Sequence, residues 1–204
     1  MIIIGICGGS GSGKTTLLKE IAKRGGFCVD CDALYYNMLK TNAPLRSDLT
    51  RAFGNVFLPD GSLNRRALGQ IVFENEEQLD RLNAIVYKHM GMELEGILRH
   101  EAFVGTPILG VDAVNLFESG FAGLCHATVA VVADPEVRLA RIMERDGIPE
   151  AYARRRIAAQ ETDDYWQEKA DYCIRNENMT EAEFRQAAGS LLDRIINEIK
   201  EKEL

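Results

Sequence analysis

The chain opens on an unbroken apolar run, Ile2-Ile3-Ile4-Gly5-Ile6-Cys7, crosses a glycine-rich stretch from Gly8 to Gly13, and resumes with Leu17, Leu18, Ile21 and Ala22 at helical spacing. The continuous β-branched run predicts a strand covered on both faces. The later repeat predicts a helix that stops at Gly25-Gly26. Phe27-Cys28-Val29-Asp30 predicts a second, short strand, so the start of the chain reads as a βαβ unit with parallel strands.

Three further strands are predicted, at Ile108-Leu109-Gly110-Val111, Thr128 to Val132 and Tyr172-Cys173-Ile174. The stretch from Cys31 to Thr106 is far longer than a crossover needs and carries helical periodicity instead. Within it, Gln78 to Arg99 sets Leu79, Leu82, Ile85, Val86, Met90, Leu94, Ile97 and Leu98 on one broad stripe, Pro59-Asp60-Gly61-Ser62 marks a turn, and Asn64 is a candidate N-cap. Beyond the fourth strand, helices are predicted over Pro135 to Asp146, Glu150 to Glu161 and Glu181 to Lys200. The expected fold class is therefore α/β, a doubly wound parallel sheet of about five strands. Residues 1–204 read as one domain, with a helical substrate-binding insertion at 31–106 and a lid at 135–160. No internal repeat or low-complexity linker divides the chain.

Charge narrows the functional classes. Across 204 residues, 24 Lys+Arg stand against 31 Asp+Glu, a formal net charge of −7. Gripping nucleic acid needs a basic surface, so no nucleic-acid partner is expected, and small anionic ligands need a local concentration of positive charge. Hydrophobic residues at 46% and charged residues at 27% fit an ordinary folded domain. No apolar run approaches the roughly 18 residues of a membrane span, and no membrane partner is expected. With no basic region ahead of Ile2, no signal peptide is read, and a cytoplasmic location is expected. The five cysteines are odd in number and irregularly spaced, which suits reduced thiols.

Gly8-Gly9-Ser10-Gly11-Ser12-Gly13-Lys14-Thr15 matches G-x-x-x-x-G-K-[ST] between a predicted strand and a predicted helix, the context that gives this P-loop string its meaning. Gly9, Gly11, Ser12 and Gly13 would let main-chain N–H groups converge on phosphate oxygens, joined by Lys14, Thr15 and Thr16 at the positive end of the helix. Lys14 would reach the β- and γ-phosphates, and the Thr15 hydroxyl would hold Mg²⁺. The Rossmann spacing G-x-G-x-x-G is not met, so ATP or another nucleoside triphosphate is the expected ligand. Asn-Lys-x-Asp and Asp-x-x-Gly, the strings of a guanine switch, do not occur.

Asp30-Cys31-Asp32 ends the second strand, where a doubly wound sheet places its ligands. Alternation along a strand would turn Asp30 and Asp32 to one face, and a carboxylate there could accept a proton from an acceptor hydroxyl. An N-cap role for Asp32 is the competing reading. Asp112, ending the third apolar strand, suits a carboxylate of the Mg²⁺ shell, or simply a turn. Arg138, Arg141 and Arg145 fall at i, i+3 and i+7, the spacing of a helical lid that carries guanidiniums to a phosphoryl group, against the alternative of a solvated face. Cys28-x-x-Cys31 has no second pair, and His89, His100 and His126 show no ligand spacing.

These strings together resemble the dephospho-coenzyme A kinase family. Besides the P-loop, the resemblance rests on Val29-Asp30-Cys31-Asp32-Ala33, Leu63-Asn64-Arg65-Arg66-Ala67-Leu68, Leu116-Phe117-Glu118, Arg141 to Asp146, Arg156-Ile157-Ala158-Ala159-Gln160, Ala170-Asp171 and Asn176. It implies transfer of the γ-phosphoryl group of ATP, with Mg²⁺, to the 3′-hydroxyl of dephospho-coenzyme A. It also implies that Asp32 activates the acceptor, Arg65 and Glu118 lie among substrate contacts, Arg141 and Arg145 belong to the lid, and Asn176 sits near the nucleotide base. The chain departs from the family's pattern at Tyr87-Lys88, where His-Pro is usual, and at Val114-Asn115, where Pro-Leu is usual. A nucleoside or nucleoside-monophosphate kinase, and a regulatory ATPase without an acceptor, are the alternatives. The residues leave the oligomeric state open.

Overall fold

A computed structural model describes residues 1–73 and 75–202. Five strands, β1 (Ile2–Cys7), β2 (Phe27–Asp30), β3 (Ile108–Asp112), β4 (Ala127–Val132) and β5 (Tyr172–Arg175), form one sheet in the order β2-β3-β1-β4-β5. β1 runs parallel to β3 and to β4, and β4 runs parallel to β5. The chain leaves β1 towards one edge and returns through β3 to cross to the other, so the winding reverses beside β1. In an open α/β sheet that reversal opens a crevice at the carboxyl ends of the strands. The glycine-rich loop begins there.

Two compact units make up the chain: Met1–Val29 with Glu101–Leu204, and Asp30–His100. In the first, β1 and β4 are apolar on both sides, as a covered sheet requires. Ile2, Ile4 and Ile6 join Val129 and Val131 with Leu17 and Ile21 of α1 (Lys14–Lys23). The long terminal helix, here α9 (Glu181–Lys202), contributes Phe184, Leu192 and Ile195 to the same core. Each such aliphatic side chain withdrawn from water contributes about 1.5–3 kcal/mol.

The second unit contains α2 (Cys31–Thr41), α3 (Ala43–Phe53), α4 (Arg65–Val72) and most of α5 (Glu76–Phe103). Its helices begin on side-chain caps. Asp30 accepts from Ala33 N–H at 2.9 Å, Asn42 from Leu45 N–H at 2.8 Å, and Asn64 from Ala67 N–H at 3.0 Å. A cap of this kind contributes about 1 kcal/mol. The predicted turn forms through the Leu58 N–H bond to Ser62 O at 2.8 Å, with Gly61 at φ 83° and Asp60 taking the Ser62 hydroxyl at 2.6 Å.

Two expectations need correction. Asp32 is neither a strand residue nor a cap: α2 starts at Cys31, the cap is Asp30, and Asp32 lies exposed in the first helical turn. Strand alternation therefore does not apply to it. The helix expected over Glu150 to Glu161 ends at Ala158 as α7, because Thr162 caps a separate helix, α8 (Asp163–Lys169), by accepting from Tyr165 N–H at 3.2 Å. Before it, α6 (Pro135–Asp146) packs Leu139 and Ile142 on Ala153 of α7. Among the described residues, no helix is long and apolar enough to cross a membrane.

Candidate active site

α1 begins without protection of its own. Its N-cap is Gly13, no side chain caps it, and its first turn carries no acidic residue, whereas α2, α5, α6, α7, α8 and α9 each have a carboxylate there. The exposed partial positive charge at such an end is an anion site. Lys14 supplies a full charge: its ammonium donates to Gly8 O at 2.8 Å and to Gly9 O at 3.4 Å, lying back along the loop. Thr15 is exposed beside it.

Residues distant in the chain hold the loop in shape. Asn176, which follows β5 and is 6% exposed, donates from Nδ2 to Ser12 O at 2.7 Å. Its Oδ1 accepts from Arg141 Nη2 at 3.3 Å, and Arg141 Nη1 donates to Gly11 O at 3.2 Å. Gly13 has φ 111°, and a Cβ there would lie 2.2 Å from Asn176 Nδ2, so both the backbone and the close approach require glycine. Arg138, 2% exposed, donates from Nε to Ser10 O at 3.0 Å and from Nη2 to Gln160 Oε1 at 2.8 Å.

Asp112 closes β3 opposite Ile6, one residue before the end of β1, and so lies at the loop's end of the sheet. Asp112 and Thr15 are hard oxygen donors of the kind Mg²⁺ takes, and no group of three or more His, Cys, Asp or Glu among the described residues forms a closed metal cage. The donor set fits an ion completed by phosphate oxygens. The nearby thiols are inert: burial pushes Cys7 up to about 12 and Cys28 up to about 11, which leaves both protonated.

The arginine stripe divides. Arg138 and Arg141 turn onto the loop, while Arg145 binds Asp146 through Nε at 2.7 Å and Nη2 at 2.9 Å, at the far end of α6. Arg156 bonds the same carboxylate at 2.8 Å, and these two guanidiniums hold Asp146 below the usual carboxylate range, Arg145 having the larger effect. Glu118 receives the hydroxyl of Tyr165, whose ring lies 4.5 Å from the Lys169 ammonium. Burial first, and then Glu118, push the Tyr165 phenol up.

In the second unit, the Arg65 guanidinium lies 4.8 Å over the Tyr36 ring. Both line a cavity of about 730 Å³ that also presents Lys40, Arg46, Asp60 and Ser62. Asp32 belongs to this unit as well.

Reasoning from sequence alone missed the burial of Arg138 and the role of Gln160. The available signal was Arg138's place four residues before Ile142, on the apolar stripe of α6, where an unpaired charge would be costly.

The profile of the family described as dephospho-CoA kinase matches residues 2–182. A dephospho-CoA kinase of Corynebacterium jeikeium is 36% identical over 160 residues, covering 78% of this chain and 82% of that protein. One from Geobacter metallireducens is 34% identical over 199 residues, covering 96% and 98%. A crystal structure of a Thermus thermophilus protein superposes with a TM-score of 0.76 at 30% identity, covering 95% of this chain and 97% of that one. An uncapped phosphate loop on a doubly wound sheet, matched along most of its length by these relatives, places the chain in the dephospho-CoA kinase family.

Proposed function

We propose that this chain transfers the γ-phosphoryl group of ATP to the 3′-hydroxyl of dephospho-coenzyme A, giving coenzyme A and ADP. The observation that carries the reading is the start of α1, an uncapped helix end with Lys14 lying on the glycine loop, in a chain whose family is defined by this reaction. The main-chain N–H groups of the loop and Lys14 bind the β- and γ-phosphates, and Arg141, seated on Gly11 O and Asn176, is poised beside them to take up charge as the phosphoryl group moves. Asn176 is assigned here to hold Ser12 and Arg141 rather than to read the base.

Asp32 accepts the proton of the attacking hydroxyl, whose oxygen forms the new bond to phosphorus as the bond to the β-phosphate oxygen breaks and ADP leaves. Thr15 and Asp112 would hold Mg²⁺, which supplies charge neutralisation for the phosphates. Arg65 and Glu118 are assigned to the acceptor, and Arg145, already paired with Asp146, to the shape of the lid at 135–160. The five cysteines are free thiols, in keeping with a cytoplasmic enzyme.

Labelled ATP offered with dephospho-coenzyme A, nucleosides and nucleoside monophosphates in parallel tests the reading. Label in coenzyme A is expected. Label only in a nucleoside or nucleotide product, or ATP loss with no phosphorylated acceptor, overturns it.

A further inference from the structure

Ser10, at the crest of the phosphate loop, is gripped on three atoms by two side chains from the far half of the chain. Its carbonyl accepts from Arg138 Nε at 3.0 Å, its N–H donates to Gln160 Oε1 at 2.9 Å, and its Oγ accepts from Gln160 Nε2 at 3.1 Å. Arg138 Nη2 donates to the same Gln160 Oε1 at 2.8 Å, and Nη1 reaches Asp163 Oδ1 at 3.3 Å. Arg138, Gln160 and Ser10 therefore close a ring of hydrogen bonds, with Asp163 as the counter-charge behind it.

The ring is built into the interior. Arg138 is 2% exposed and its guanidinium lies 5.9 Å from the centre of the fully buried Trp166 ring. A Cβ on Gly9 would lie 2.0 Å from Arg138 Nη2 and 2.2 Å from Cζ, so the second glycine of the motif makes room for a guanidinium. Burial also pulls the Arg138 guanidinium down and pushes the Asp163 carboxyl up, the mark of a desolvation cost for the buried pair. A pair of apolar side chains would fill the same space more cheaply. What the costly arrangement adds is direction: it fixes the orientation of the two peptides that flank Ser10, one through its N–H and one through its carbonyl.

We propose that Arg138 and Gln160 are a positioning pair for phosphoryl transfer, acting through Ser10 to hold the crest of the phosphate loop and to tie it to the segment between α7 and α8. With the Ser10 N–H committed to Gln160, that peptide cannot swing, and the loop keeps the shape in which the following N–H groups meet the phosphates. Gln160 stands between Ala158, where α7 ends, and Thr162, which caps α8, so a displacement of this segment is transmitted to the loop. Neither side chain touches the reacting atoms. The inference rests on the ATP-dependent transfer proposed above.

The test uses Gln160→Ala, Arg138→Lys, the double variant and Gln160→Glu in the full chain. Arg138→Lys retains a charge beside Asp163 but loses the fork. Each single change is expected to lower kcat by roughly tenfold to a hundredfold, the scale of a small misplacement of reacting groups, with little change in KM for dephospho-coenzyme A. If both act through Ser10, the double variant is no slower than the slower single one. Gln160→Glu, which keeps the acceptor for Ser10 N–H, should fall between wild type and Gln160→Ala.

Lowered melting temperature with kcat unchanged, or losses that simply add, overturns the proposal in favour of a structural role. Titration with a fluorescent ATP analogue, without acceptor, separates this failure from failure of the acceptor assignment. Weakened analogue binding in Gln160→Ala supports the clamp even where wild type phosphorylates no dephospho-coenzyme A, whereas unchanged binding together with unchanged kcat overturns the clamp alone.

Discussion

Replacing Asn176 isolates the link between the end of the sheet and the phosphate loop. Asn176→Ala removes the 2.7 Å bond to Ser12 O and the 3.3 Å bond from Arg141 Nη2, while the Asn176 N–H bond to Val132 O at 2.8 Å is retained. Ser12 is fully buried, so its carbonyl loses a donor that water does not readily replace, at a cost of about 1–3 kcal/mol. The bond to Arg141 is long and adds less. The expected destabilisation is about 2 kcal/mol, which for a chain of this length lowers the melting temperature by roughly 4–8 °C.

Asn176→Asp should cost more than Asn176→Ala. The two side-chain bonds fix the amide's orientation, so the new carboxylate oxygen would face the Ser12 carbonyl where a donor had been. Thermal unfolding of the three proteins at pH 7, with ATP affinity measured in parallel, checks the ranking wild type, Ala, Asp. A melting temperature for Asn176→Asp equal to wild type would refute the reasoning, because it would mean that no donor is needed at that carbonyl.

Lys14→Ala and Asp32→Asn should each lower kcat by orders of magnitude, but only Lys14→Ala should also weaken ATP binding appreciably; near-normal turnover in Asp32→Asn would remove it from proton transfer. His89, buried and 2.9 Å from Asp48, holds that carboxyl below its usual range with help from Arg51, so the pair's contribution is present above about pH 4 and is lost as pH falls further. Asp48→Asn should accordingly flatten the acid limb of a stability profile, and an unchanged limb would exclude the pair. Burial pushes Cys7 and Cys125 each up to about 12, so both should resist a thiol reagent at pH 8 until denaturant is added, as judged by counting modified cysteines.

The sheet was legible because its strands carry apolar residues on both faces, a pattern that survives without knowledge of their partners. The phosphate loop was legible for a similar reason: its chemistry lies in one short string, and the Asn64 cap and the Asp60-Gly61 turn are equally local. Asp32 was misplaced because one residue decides whether an aspartate ends a strand or opens a helix, and Asp30 took the cap. Glu150 to Glu161 ran on as one helix because the periodicity hid the Thr162 cap. Arg138 read as one of three arginines of a helical lid or of a solvated face, since nothing nearby in the sequence shows that Ser10, Gln160 and Asp163 converge on it. Those groups meet only through long-range contacts, which a local pattern does not encode.

The support of the phosphate loop has a consequence for synthesis. Its glycines leave the ribosome well before Asn176, which is 164 residues beyond Ser12, and before Phe184, which lies 3.1 Å from where a Gly13 Cβ would stand. A nascent chain can form early helices but lacks the props that shape its nucleotide cradle, so ATP should capture only a polypeptide from which Asn176 and Phe184 have emerged. A ribosome-bound fragment ending before residue 176 should therefore pass unretained through an ATP column that holds the released protein.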